Sequence, residues 1–131
     1  MYLVDTNVIL ELLLEQKKSD DVRTLLRTLD SSLVHLTEFS VYSIGIALLR
    51  MDKPELFIRW IDDILNSAVR IVKLDLTDYP LLVSRAQRFQ LDFDDGYQYA
   101  VAEKYNLQIV SFDTDFDRTE RGRKTPAEVV Q

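Results

Sequence analysis

The sequence contains no cysteine. Disulfides, thiolate zinc sites and thiol nucleophiles are therefore excluded, any bound metal must be held by oxygen, and the chain fits a reducing cytoplasm. Glycine and proline are scarce, at three each among 131 residues, while 47% of the chain is apolar. That is the profile of a compact globular protein and not of a linker or disordered tail. No apolar run reaches the roughly 18 residues that span a bilayer. No charged stretch, apolar core and cleavage site precede the first acid, Asp5. The expectation is a soluble cytoplasmic protein with no membrane partner. Positive charge is also short, with 16 Lys and Arg against 22 Asp and Glu and a formal net charge of -6. Domains that hold nucleic acid by bulk electrostatics are usually basic. An acidic chain can still bind a phosphate where its acids hold a divalent cation.

The length suits one domain, and no repeat, low-complexity tract or boundary divides residues 1–131. Short apolar runs at 2–4, 33–36, 71–74 and 107–112 predict four core strands. Between them the spacing turns helical. Phe57, Trp60, Ile61, Ile64 and Leu65 form one stripe, and Tyr79, Leu82, Val83, Ala86 and Phe89 another. Thr77 and Asp78 are the expected N-cap of the second, with Pro80 tolerated in its first turn. Residues 7–17 and 38–51 predict helices apolar nearly all round, hence buried on more than one face. A further helix is expected from near residue 95 to about Tyr105, ended by Asn106 in the left-handed conformation. The polar stretch 118–124 reads as a loop. Strands alternating with helices predict an α/β fold, a three-layer α/β/α sandwich around a central, mainly parallel sheet. In such sheets all carboxyl ends lie along one edge, where ligands bind.

Four acidic positions fall on that edge. Asp5 and Asp113 each follow an apolar strand directly. Glu38 follows another and is the only acid between Asp30 and Asp52, at the mouth of a very apolar helix. The fourth is in Asp92-Phe93-Asp94-Asp95 at a helix start, where backbone N–H groups favour negative charge. Asp94 is the expected N-cap and Asp95 the inward acid. Carboxylates brought together repel and raise one another's pKa unless a cation sits among them. A hard divalent ion relieves this: Mg²⁺ prefers octahedral oxygen coordination and keeps several waters. One ion, or two about 3.5–4 Å apart, is suited to phosphodiester hydrolysis by an activated water.

The order Val4-Asp5-Thr6-Asn7, Thr37-Glu38, Asp95-Gly96 opening a helix, and Val110-Ser111-Phe112-Asp113 resembles the PIN-domain pattern over nearly the whole chain. Within that family it is most similar to the toxin component of prokaryotic toxin-antitoxin pairs. The resemblance implies a small endoribonuclease that uses Mg²⁺ or Mn²⁺, acts on RNA, pairs with a small antitoxin protein and forms a homodimer. It makes Asp5, Glu38, Asp95 and Asp113 the metal-binding catalytic quartet, with Asn7 and Ser111 as supporting polar residues and Thr6 at the turn. The family commonly has Ala at the position of Gly96 and Thr at that of Ser111.

Other polar residues carry two readings each. Asp115 and Asp117 either extend the metal site or cap a turn. His35 reads as a core residue with a local hydrogen bond rather than a general base. Arg118, Arg121, Arg123 and Lys124 form the only basic cluster, either an RNA-phosphate contact or a solvated loop. Tyr97 and Tyr99 have faces on which bases stack, although helical spacing puts Tyr97 in the core. Two rival functions remain: a PIN-like module that binds RNA or protein without turnover, and a haloacid-dehalogenase-like enzyme with Asp5 as nucleophile. The latter chemistry usually wants a second Asp where this chain has Asn7.

Overall fold

The structure is a computed structural model that describes all 131 residues. Its four strands are β1 (Tyr2–Val4), β2 (Val34–Thr37), β3 (Arg70–Val72) and β4 (Gln108–Val110), and every pairing is parallel. Helices α1 (Thr6–Leu13), α2 (Ser19–Thr28), α3 (Glu38–Arg50), α4 (Pro54–Leu65), α5 (Tyr79–Phe89), α6 (Phe93–Tyr105) and the short α7 (Pro126–Val129) fill the connections. None is long and apolar enough to cross a membrane.

Successive residues of a strand point to opposite faces, and here they feed two separate cores. Leu3 and Ile109 join Leu82, Phe89, Tyr97, Tyr99 and Val101 beneath α5 and α6. Their neighbours Val4 and Val110 join Val8, Val22, Leu25, Ile44, Leu48 and Trp60 beneath α1 to α4. This is the expected three-layer sandwich. The sheet order is β3-β2-β1-β4. The chain steps outward from β1 through β2 to β3 with its helices on one face, then returns over the other face to place β4 beside β1. The direction of winding therefore reverses between β1 and β4, the switch point at which open α/β sheets leave a crevice.

Several local expectations need correction. Helix α2 was not foreseen, because Val22 and Leu25 are its only fully buried residues in an otherwise polar segment. Helix α3 is not buried on several faces: Ile44 and Leu48 are inside, whereas Tyr42, Ile46 and Leu49 are more than half exposed. Asp78 holds the N-cap position of α5 as expected, but no side-chain bond makes the cap, and a 3₁₀ turn over Leu76–Asp78 leads straight into the helix. The Asp78 carboxylate instead accepts the Asp75 N–H at 2.8 Å and pairs with Lys104. His35 is a core residue, yet its Nδ1 has no hydrogen-bond partner. Burial pushes its pKa down. Asn106 does end α6 in the left-handed conformation, with φ of 54°.

Leu25 is fully buried although the helix that carries it is mostly polar. Leu25→Ala is expected to cost about 2–5 kcal/mol, read as a lowered urea midpoint at unchanged slope; a cost under about 1 kcal/mol would separate α2 from the core.

Candidate metal centre

Asp5 ends β1 and caps α1. Its backbone N–H continues the sheet to Val110 O at 2.9 Å, and its Oδ1 accepts the Thr6 N–H at 2.9 Å. The side chain is buried, and its remaining acceptors are engaged by Gln98 Nε2 on Oδ1 (3.0 Å) and Ser111 Oγ on Oδ2 (2.7 Å). Burial pushes the Asp5 pKa up, and these three donors oppose the rise. The surrounding polar groups interlock. Ser111 Oγ accepts the Asp113 N–H and an Asn7 N–H, while Asn7 Oδ1 accepts the Phe112 N–H. Ser40 Oγ lies within hydrogen-bond distance of Thr6 Oγ1, Thr37 Oγ1 and Gln98 Nε2.

Asp113 follows β4 and sits across the switch point from Asp5. Its Oδ1 accepts the Asp115 N–H at 2.8 Å, opening a 3₁₀ turn over Thr114–Arg118. Asp94 and Asp95 occupy the first turn of α6. The residue capping that helix is Asp92, not Asp94, and no side-chain bond makes the cap. This frees both Asp94 and Asp95 to line, with Asp5 and Asp113, a cleft of about 250 Å³. One carboxylate oxygen each from Asp95, Asp113 and Asp115 lies within 4.8 Å of the others. Desolvation, a hydrogen bond to Asp113 and the charges of Asp113, Asp5 and Asp94 push the Asp95 pKa up to about 8.

Glu38 stands apart from this cleft. It occupies the first turn of α3, where its carboxylate accepts the Tyr42 hydroxyl, and it lines a neighbouring hollow. Ser40, two residues on, is the α3 side chain that reaches the Asp5 network. Ser40 and Gln98 were not singled out from sequence. Gln98 had one available signal: it is the only amide within the buried run Gly96–Ala102 of α6, one turn beyond Asp95.

The arginines of the basic segment are held by internal partners. Arg118 donates to Phe89 O, Gln90 O and Asp115. Arg121 donates to Asn106 and Leu107 O, and Arg123 to Ser111 O and Asp117. Lys124 lends its backbone to a bridge beside β4, through Lys124 N–H to Ile109 O and Ser111 N–H to Lys124 O. Asp115 thus joins the carboxylate cluster, whereas Asp117 anchors Arg123. Tyr97 and Tyr99 are both buried, which removes them as stacking platforms.

The donor set fits a hard cation. It is all oxygen, partly open to solvent, and includes a carboxylate that keeps its proton to about pH 8 without one. Fold and cleft together define a class, that of α/β domains with a carboxylate cluster at the switch point of a parallel sheet. The chain belongs to the PIN domain family, whose sequence profile matches residues 2–122. No curated protein matches it significantly. Solved structures share the fold. A toxin-antitoxin complex from Klebsiella pneumoniae aligns with TM-score 0.77 at 16% identity, over 98% of this chain and 99% of that one. FitAcB from Neisseria gonorrhoeae aligns at 0.72 and 22%, over 96% and 98%. VapC20 from Mycobacterium tuberculosis, described as a sarcin-ricin loop cleaving toxin, aligns at 0.75 and 18%, over 89% and 93%.

An acid with a raised pKa makes the metal-free fold lose stability as pH climbs from about 4, where the unfolded carboxyl ionises, to about 8, where the folded one does. Asp95→Asn is therefore expected to raise the melting temperature of the metal-free protein at pH 8 by about 3 °C and to change it little at pH 4. Mn²⁺ should stabilise the parent protein more at pH 8.5 than at pH 6. Equal melting temperatures for parent and variant at pH 8 would count against the crowded cluster.

Proposed function

We propose that the protein is a divalent-metal-dependent endoribonuclease of the cytoplasm, acting as the toxin of a toxin-antitoxin pair. The observation that carries this reading is the convergence of Asp5, Asp95, Asp113 and Asp115 from three separate elements on the switch-point cleft, in a chain of the PIN domain family. Asp95, Asp113 and Asp115 would hold Mg²⁺ or Mn²⁺, with Asp5 and Asp94 beside them. The ion supplies positive charge for an RNA phosphate and lowers the pKa of water.

The chain's own residues do the positioning. Asp5 cannot turn, because donors from Thr6, Gln98 and Ser111 occupy both of its oxygens. Ser111 and Asn7 tie the start of α1 to the segment that carries Asp113, so the two strand-end acids keep their separation. Asp94 is exposed and faces an incoming substrate first. The cleft's negative charge also suits an antitoxin that inserts an Arg or Lys among the carboxylates. Exposed Ile46 and Leu49 lie at i and i+3 on α3, which makes that face a better homodimer surface than α1. The leucines of α1 pack largely within the monomer. Ile46→Asp should then convert a dimer to a monomer in sedimentation experiments without lowering the melting temperature of the monomer.

Asp5→Asn should reduce Mn²⁺-dependent RNA cleavage by at least about a hundredfold, the scale on which lost positioning acts, and EDTA should stop the parent enzyme. Full activity of Asp5→Asn would overturn the assignment. A binding module without turnover would leave RNA intact and show no Mn²⁺-dependent rise in melting temperature.

A further inference from the structure

Glu38 is left over by the metal cleft, and its surroundings offer it other work. It borders a hollow of about 210 Å³ shared with Phe39, Tyr42, Lys73, Tyr79 and Tyr97. That is below the roughly 300–1,000 Å³ of sites for drug-sized ligands and suits one flat ring system. Phe39 lines this hollow and the carboxylate cleft alike. Four aromatic side chains close on one another here: Phe39, Tyr79 and Tyr97 line the hollow, and Phe93 packs against Phe39 and Tyr79. Ring centroids are 5.2 Å apart for Phe39 and Tyr97, 6.4 Å for Tyr97 and Tyr79, 6.2 Å for Tyr79 and Phe93, and 6.3 Å for Phe93 and Phe39. Tyr97 belongs to the core, its hydroxyl accepting the Leu74 N–H. Phe93 does not: it is 51% exposed and immediately precedes Asp94 and Asp95. Phe39 and Tyr79 are only half-buried. Partly exposed aromatic side chains beside an acidic cleft offer edges and surface against which an unpaired base can pack.

The carboxylate decides which base. Tyr42 donates to Glu38 Oε1, which leaves Oε2 and a lone pair of Oε1 free. An ionised carboxylate only accepts, so it favours an edge with adjacent donors. Guanine places two side by side, N1–H and the 2-amino group. Adenine and cytosine set a single amino group beside an acceptor, and uracil sets one N–H between two carbonyls, so each would turn an acceptor toward the negative charge. Lys73 on the same rim matches guanine's acceptors O6 and N7.

We propose that the hollow beside Phe39 is a guanine pocket in which Glu38 reads N1–H and the 2-amino group, so that RNA is cut next to a guanine. The cut rests on the nuclease reading; the base pocket does not. Two measurements separate them. In the first, guanosine, inosine and adenosine 5′-monophosphates are titrated into the metal-free protein and followed by amide NMR shifts. Guanosine monophosphate should move the signals of Phe39, Lys73, Leu74 and Tyr79. Inosine monophosphate, lacking the 2-amino group, should bind about tenfold more weakly, as expected for one lost hydrogen bond to a charged group. Glu38→Gln should erase that difference while keeping the Mn²⁺-dependent rise in melting temperature. In the second, oligoribonucleotides with a single guanine at different positions are incubated with Mn²⁺, and the cut should follow the guanine. Guanine selectivity without cleavage would leave the pocket standing and remove the nuclease. Cleavage indifferent to guanine, with equal binding of the three nucleotides, would overturn the pocket and leave the nuclease. Loss of the Mn²⁺ effect in Glu38→Gln would return Glu38 to the metal cleft and overturn the proposal.

Discussion

A carboxylate buried at the end of the first strand is the constraint around which this molecule is arranged. Taking Asp5 out of water is unfavourable unless its oxygens find donors. They find three, from three parts of the chain: the first turn of α1, the middle of α6 and the residue after β4. Each donor is itself held. Gln98 also reaches Ser40 at the start of α3, and Ser111 also receives Asn7 and the backbone of Asp113. The polar network thus joins the carboxyl ends of β1, β2 and β4 and the helix that returns between β3 and β4. The apolar cores on the two faces make the sheet stable, while this network sets which groups meet at its edge.

The parts of the fold that were legible in the sequence are those with a strong pattern. Four apolar runs became four strands, and the stripes ending at Leu65 and Phe89 became α4 and α5. Helix α2 escaped because two buried side chains among ten residues make too thin a stripe. At the site, Asp5 was legible because a residue directly after a buried parallel strand can only emerge at one edge, and Asp113 because it lies three residues past the end of β4 on the same edge. Glu38 was misplaced for a geometric reason. A helix turns about 100° per residue, so residues two apart point nearly opposite ways. The sequence marks where α3 begins but not how it is rotated about its axis; with Ser40 turned toward Asp5, Glu38 must face away. Gln98 was overlooked because an amide in an apolar helix declares no partner until the fold brings one.

The excess of negative charge, which at first argues against nucleic acid as a substrate, proves to be unevenly distributed. Some acids are paired with a cation at the surface, such as Glu103 with Arg85 and Asp78 with Lys104. The carboxylates of the cleft have few such partners. Arg118 meets Asp115, but Asp95 faces only other acids and responds by holding its proton. Basic residues near the site are used differently again. Guanidinium groups that cap backbone carbonyls at Phe89, Leu107 and Ser111 fix the loops carrying the acids, which is a better use of planar, multiply donating cations than simple charge balance.

Gly96 shows how closely the site depends on packing behind it. A Cβ at this position would lie 3.1 Å from Ala86 Cβ and 3.3 Å from Leu82 Cδ2, both on α5. The absence of that carbon lets α5 settle against α6 directly behind Asp95. The same α5 begins at Tyr79, in the aromatic ring beside Glu38, and ends where Arg118 grips Phe89 O and Gln90 O before reaching Asp115. Moving α5 outward by a few tenths of an ångström would therefore disturb three features at once: the seat of Asp95, the aromatic hollow and the arginine that positions Asp115. The carboxylate cleft and the hollow next to it are coupled through one helix, so the spacing between α5 and α6 governs both.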